Sequence, residues 1–302
     1  MLGLLFDVLT ATFRNATPLV FGTVGETYSE RAGVLNLGIE GTMYAGAFFG
    51  FAAAYSSGSL MVGLLVALVV GLIAGGVMGV LTVTLGANQH VSGLGLTLFL
   101  IGVSEFSNRV LFGGEQALRR IDPFPLLDPL GLGGVLQQYA LTYVAFLLVV
   151  PAAWWVLMRT RLGLSIRAVG ENPEAADAAG INVFRTRYIA LLVAGALMAV
   201  GGAFFTLAAL GSFTLDIIAG RGWVCVALVI FGRWSIWRAT AGALIFSAIY
   251  SLQLRLRILP GWEEVPYELL LALPYLVVIA ALAISGRNVA YPGAYLKAYR
   301  RS

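Results

Sequence analysis

Eight polar residues stand in or beside long apolar runs: Asn36, Glu40, Asn88, Gln89, His90, Ser92, Glu105 and Arg109. Such side chains are costly in lipid, where they mark solute pathways or structural partnerships. Ser92 with His90 is the nearest thing to a nucleophile and its base, and it fails on geometry. Residues two apart do not share a helix face, and His90 is the only histidine in the chain. No HExxH signature or Asp-rich run supplies a metal-dependent hydrolase or transferase. A phosphate-cradling GxxxxGK[ST] loop needs a lysine, and the only lysine is Lys297, in the C-terminal tail. The residues therefore point to no catalytic group, no metal and no cofactor. Any ATP-driven work requires a separate ATPase subunit.

Two of these residue pairs have helical spacing. Glu105 precedes Arg109 by four residues, the favourable order for an intrahelical ion pair. Asn36 and Glu40 are also one turn apart, at the start of an apolar run. They fit two readings equally: the lining of a hydrophilic cavity, or the capping of a helix near the membrane interface.

The elements that position these residues follow from composition. Of 302 residues, 59% are hydrophobic and 11% charged, against roughly 25% charged in a soluble domain. Between Glu40 and Glu105 lie 64 residues without Asp, Glu, Lys or Arg, where a single span needs about 20. Turn residues and charges divide the chain into nine expected spans: 5–27, 37–56, 61–85, 91–112, 138–158, 187–210, 216–232, 239–256 and 268–285. The expectation is an all-α, polytopic transmembrane helical bundle forming one domain, 1–302. The long connections are 26–36, 113–137 and 159–186. The N-terminus has no early Lys or Arg and lacks the charged start of a cleavable signal peptide. Cys225 stands alone in an apolar run, so neither a disulfide nor a thiolate metal cluster is available.

The net charge of +4 comes from arginines scattered singly between apolar runs. Without dense basic clusters it does not describe a nucleic-acid surface. Read instead as topology signals, with positive loops cytoplasmic, these residues place Arg31, Arg159, Arg161, Arg167, Arg185, Arg187, Arg233, Arg238, Arg287, Lys297, Arg300 and Arg301 inside. Arg119, Arg120, Arg255 and Arg257 fall outside, and so does the N-terminus. Small residues at four-residue spacing, Gly71, Gly75 and Gly79 on one span and Gly46 and Gly50 on another, suit close helix packing. Spans two and seven run in opposite directions, and each begins near a glycine-bearing polar segment, Asn36–Gly41 and Gly220–Trp223. That pattern suggests an inverted repeat.

The loop 159–186 carries its own helix signals. Asn172 is a cap, Pro173 suits the first helical position, Glu174 and the alanines favour helix, and Gly180 can end it in the left-handed conformation. The expected helix is about two turns long, roughly 11 Å.

Three segments carry a family resemblance: ERAGVLNLGIEG (Glu30–Gly41), GANQHVSGLGL (Gly86–Leu96) and RTRLGLSIRAVGENPEAADAAGI (Arg159–Ile181). Together they resemble the nucleoside and simple-sugar branch of the bacterial ATP-binding-cassette (ABC) importer permeases, within the superfamily of branched-chain amino acid and ribose permeases. The likeness runs from about residue 16 to the last span. It implies a permease subunit in the cytoplasmic membrane that imports nucleosides by ATP-driven alternating access. The implied partners are an ABC ATPase, a second homologous permease and an extracytoplasmic substrate-binding protein. The resemblance places Asn36, Glu40, Asn88 and Ser92 nearest the path, to which Phe213 and Trp223 are added as aromatic faces for a base. It makes Gly170, Glu171, Asn172, Pro173, Glu174, Ala175, Ala176, Asp177, Ala178, Ala179 and Gly180 the ATPase coupling element. Arg14 and His90 depart from the pattern. The alternatives are a simple sugar or other small polar solute, or an ion-coupled transporter, for which Glu40 is the one plausible mid-membrane carboxylate.

Overall fold

The computed structural model describes residues 2–113, 119–129, 131, 133–256, 266–285 and 290–300. The chain folds into helices α1 (Leu2–Arg31), α2 (Ile39–Ser57), α3 (Leu60–Thr84), α4 (Gln89–Phe112), α5 (Ala140–Arg159), α6 (Arg161–Glu171), α7 (Pro173–Ala178), α8 (Val183–Leu210), α9 (Arg221–Phe231), α10 (Ile236–Leu256) and α11 (Tyr267–Ser285). Nine of these answer to the nine expected spans. Five of them (α3, α4, α5, α8 and α10) are long and apolar enough to cross a membrane by themselves, and α9 and α11 are shorter apolar helices. The connection between α4 and α5 contains a two-residue antiparallel ladder, Leu126–Leu127 with Gln138–Tyr139.

α8 is the axis of the bundle, in contact with α1, α2 and α3. It gets there through small residues. A side chain on Gly71 would stand 2.2 Å from the Gly195 carbonyl oxygen, and one on Gly75 would stand 2.3 Å from that of Leu191. Without a hydrophobic drive between helices in lipid, such backbone approach is the main source of packing energy.

The packing repeats. α1 lies on α8, α9 and α10; α8 lies on α1, α2 and α3. α2 touches α3 and α4 as α9 touches α10 and α11, and α2 and α9 touch each other. Exchanging α1–α4 for α8–α11 thus maps these contacts onto one another, the pattern of two interlocked repeats. The hydrogen bonds that open α2 and α9 correspond as well. Ile39 N–H donates to Asn36 and Thr42 N–H to Gly38; Arg221 N–H donates to Ile218 and Val224 N–H to Gly220.

Three features differ from the sequence expectation. The seventh span is a helix of 11 residues, because 211–220 forms a loop in which Asp216 and Ala219 adopt positive φ. The 159–186 connection holds two helices, α6 and α7, rather than one, and α7 has only six residues. α3, α5 and α8 each contain a π-helical stretch, which widens the helix locally and often accompanies function.

The charged segments assigned to one side do gather at one end of the bundle. Arg31 Nε donates to the Trp234 carbonyl, and Arg187 donates to Ala32 and Lys297 carbonyls. At the other end Arg119 lies over Tyr55 and Phe112, Arg14 donates to the Gln137 carbonyl, and Arg255 pairs with Asp7 at 3.0 Å. By the charge bias the first is the inner end and the second the outer end. Arg257, Arg287 and Arg301 lie outside the described residues.

Candidate functional site

Two broken helices meet inside the bundle. α2 starts only after the buried link 32–38, and α9 only after the loop 211–220, so two helix N-termini, each with unsatisfied N–H groups, face one another. Glu40, in the first turn of α2, joins them. Its Oε1 accepts the Gly220 N–H at 2.8 Å, and its Oε2 accepts the Gly222 N–H at 2.7 Å. A carboxylate at a helix N-terminus also meets the positive end of the helix dipole. Gly222 permits this approach, since any side chain there would lie 2.6 Å from Glu40 itself. Gly220 sits at φ +80°, where glycine is the natural residue.

Asn36 is on the link, not on α2. Its N–H donates to Glu26 Oε1 at 2.9 Å, its Oδ1 accepts from Gly38 N–H at 3.0 Å, and the side chain is 1% exposed. It closes the turn that lets α2 begin. Asn36 and Glu40 are both buried and bonded to backbone, so of the two readings their spacing left open, fixing helix starts is what their contacts do.

On the outer side of this junction is a cluster of aromatic rings. Phe213, from the 211–220 loop, meets Tyr44 and Phe48 edge to face at 5.4 and 5.2 Å. The Tyr44 hydroxyl is buried and has Glu105 of α4 and Asp216 of the loop as its neighbouring carboxylates. Glu105 therefore turns to α2, while Arg109 is exposed, and the two do not close the ion pair their spacing allows. Half-buried Trp223 follows Gly222 in the first turn of α9, beside the Glu40 junction.

α4 carries the second motif. Asn88 caps it, accepting the N–H groups of His90 and Val91 at 3.0 and 3.2 Å. Ser92 is buried at 8% exposure, and His90 is exposed. Gln89, the first residue of α4, accepts the Leu35 N–H at 2.8 Å and so ties the α1–α2 link to α4.

At the inner end α6 and α7 form the third motif. Asn172 caps α7 by accepting the Ala175 N–H at 2.9 Å, Pro173 opens the helix, and Gly180 follows it at φ +83°. Gly170 lies against α1, where a side chain would stand 1.9 Å from the Arg31 carbonyl oxygen, and its own carbonyl accepts the Ala294 N–H. Glu171 accepts the Gly293 N–H at 3.2 Å, which fastens the C-terminal tail. Ala176 packs inward with Val169 and Val183, whereas Glu174, Ala175, Ala178 and Ala179 are exposed and Asp177 is half-buried.

Sequence reasoning missed Glu26 and Glu30, both 0% exposed on the inner half of α1. Two carboxylates one turn apart at the end of an apolar run, in ETYSE, were the signal; the expected span boundary at 27 split them. It also missed Tyr44, whose hydroxyl looks like an ordinary interfacial tyrosine until the 211–220 loop folds back over it.

A multi-pass helical bundle with two broken helices, an internal repeat and no catalytic constellation among the described residues has the architecture of a membrane permease. Residues 8–282 match the family described as branched-chain amino acid transport system / permease component, and the chain belongs to that family. It is similar to the nucleoside ABC transporter permease protein of Lactococcus lactis, 36% identical with 89% of each chain covered. It is also similar to the putative glucose ABC transporter permease protein of Haloferax volcanii, 34% identical over 97% of each. The guanosine ABC transporter permease protein of Bacillus subtilis is 31% identical, over 91% of this chain and 90% of the relative. No solved structure matches the chain. The protein is a multi-pass permease subunit of an ABC transporter in the cell membrane.

Proposed function

We propose that this subunit imports nucleosides, working with an ABC ATPase, a second homologous permease and an extracytoplasmic substrate-binding protein. The observation that carries the choice of solute is the outer cluster of aromatic rings and carboxylates. The half-buried ring of Phe213, seated on buried Tyr44 and Phe48, offers a stacking face for a base, and the Glu105 and Asp216 carboxylates beside Tyr44 are acceptors for sugar hydroxyls. Relatives named for nucleoside and guanosine transport agree with this reading. The glucose-named relative favours a second one, in which the same carboxylates serve a hexose and the rings pack against its apolar face. Asn36, Glu40, Asn88, Ser92 and Trp223 are proposed to border the path inward of this cluster, with Asn36 and Glu40 shaping it by fixing the helix starts.

Competition of uptake in the assembled complex by purine nucleosides, ribose and glucose separates the readings. Nucleosides compete and the free sugars do not. Phe213→Ala raises the half-saturating nucleoside concentration about tenfold, the loss of one stacking contact of about 1 kcal/mol or slightly more. Competition by glucose alone would overturn the choice of solute.

A further inference from the structure

The inner half of α1 carries two carboxyl groups that transport, as described above, does not use. Glu26 and Glu30 are four residues apart on one helix face, and both are 0% exposed. Each commits one oxygen. Glu26 Oε1 accepts the Asn36 N–H at 2.9 Å, and Glu30 Oε2 accepts the Trp234 indole N–H at 2.6 Å. The remaining oxygens, Glu26 Oε2 and Glu30 Oε1, are buried without a donor. The two carboxyl groups are within side-chain hydrogen-bonding reach of each other. Two buried acceptors thus lie within reach of each other, with no proton of their own to share.

The groups around the pair do not neutralise it. From the C-terminal tail, Tyr295 brings its hydroxyl beside Glu30. From α9, the Cys225 thiol donates weakly to the Leu19 carbonyl. Arg31 turns its Nε to the Trp234 carbonyl; Arg187 spends Nε and Nη1 on the carbonyls of Ala32 and Lys297, and its Nη2 closes no bond. Lys297 Nζ donates to the Gly293 carbonyl. Among the described residues no guanidinium or ammonium nitrogen lies within 4.0 Å of either carboxylate. Two adjacent, desolvated, unpaired charges would cost several kcal/mol each. Carboxyl groups placed in contact respond by keeping one proton between them. A single proton between Glu26 Oε2 and Glu30 Oε1 gives both orphaned oxygens a hydrogen bond and removes one of the two charges.

We propose that Glu26 and Glu30 form a proton-binding site that holds one shared proton and, in that form, pins three segments together at the inner end of the permease. The segments are the α1–α2 link through Asn36, the α9–α10 turn through Trp234, and the tail through Tyr295. The tail in turn holds Gly170 and Glu171 next to α7, so the protonated pair supports the surface that carries the exposed alanines. The site does not depend on which solute is carried.

The test is infrared spectroscopy of the full chain purified in detergent at neutral pH, with Glu26→Gln and Glu30→Gln beside the wild type. The glutamine amide supplies the missing donor, so each variant folds. The wild type shows the carbonyl band of a buried, protonated carboxylic acid, and either single substitution abolishes it, since the remaining carboxylate needs no proton. Absence of such a band from the wild type overturns the proposal, as does a band that survives both single substitutions. Stability of the wild type that depends on added sodium or a divalent cation also overturns it, because a bound cation would then occupy the place of the proton. Should a glutamine variant not fold, the band in the wild type, followed through deuterium exchange and that cation dependence, decides alone.

Discussion

Glu40 shows how a carboxylate inside an apolar bundle is kept: it receives two backbone N–H groups, from the N-cap and the first turn of α9. Hydrogen bonds to a charged group are worth about 1.5–3 kcal/mol each. Glu40→Gln keeps one acceptor oxygen and turns a donor toward the other amide. It should therefore destabilise the purified permease by about 2 kcal/mol, read as a lower thermal midpoint. Glu40→Ala leaves two orphaned donors at the junction and should prevent folding. Uptake per folded Glu40→Gln molecule should keep its half-saturating concentration, since the carboxylate holds α9 and does not hold solute; an unchanged midpoint with a shifted half-saturation would reverse that assignment. The sequence flagged Asn36, Glu40, Gln89 and Ser92 because polar groups amid apolar runs are conspicuous. It could not show that the partners of Glu40 are amides 180 residues away, because backbone donors leave no trace in residue type.

The elements were legible where hydropathy and turn chemistry agree, and misread where the backbone breaks inside an apolar stretch. Spans three, four and nine start and end within two residues of their expected bounds. Residues 216–220 read as the start of a span because Ile217, Ile218 and Ala219 are apolar, yet they form a loop that the Glu40 junction and its neighbours hold. α6 was missed because Gly163 and Gly170 argue against helix. Both are needed for close backbone contact, with Leu157 and Arg31 respectively. α7 narrows the element expected to couple to an ATPase. Its Asn172 cap, Pro173 and Gly180 stand as local chemistry required, but Ala176 faces inward. Ala179→Arg or Ala175→Arg, on the exposed face, is expected to leave the permease folded and to abolish ATPase-coupled uptake or assembly with the ATPase. Ala176→Arg should instead prevent folding of the permease itself. Full coupled uptake in Ala179→Arg and Ala175→Arg would remove α7 from the docking surface.

At the scale of the whole molecule, two interlocked repeats place the N-termini of α2 and α9 against one another, with an aromatic and acidic cluster on the outer side. On the inner side, the buried pair on α1 and the tail support α6 and α7. Rocking of the group α2, α3, α4 and α8 against the group α1, α9, α10 and α11 about the Glu40 junction would open the aromatic cluster to either end, a motion of the kind that inverted repeats support in transporters. The α3–α8 seam should not yield in that motion, because Gly71 and Gly195 bring the two backbones together. Gly71→Val is therefore expected to abolish the folded permease, measured as loss of monodisperse protein after extraction. The central claim, an ATP-driven nucleoside importer subunit, is tested most directly by reconstituting the chain with its ATPase and second permease in proteoliposomes, adding the binding protein, and following labelled nucleoside. The account predicts uptake that requires ATP hydrolysis, is competed by other nucleosides and is untouched by glucose. Uptake that runs without ATP on an ion gradient, or ATP-driven uptake of glucose with no nucleoside competition, would contradict it.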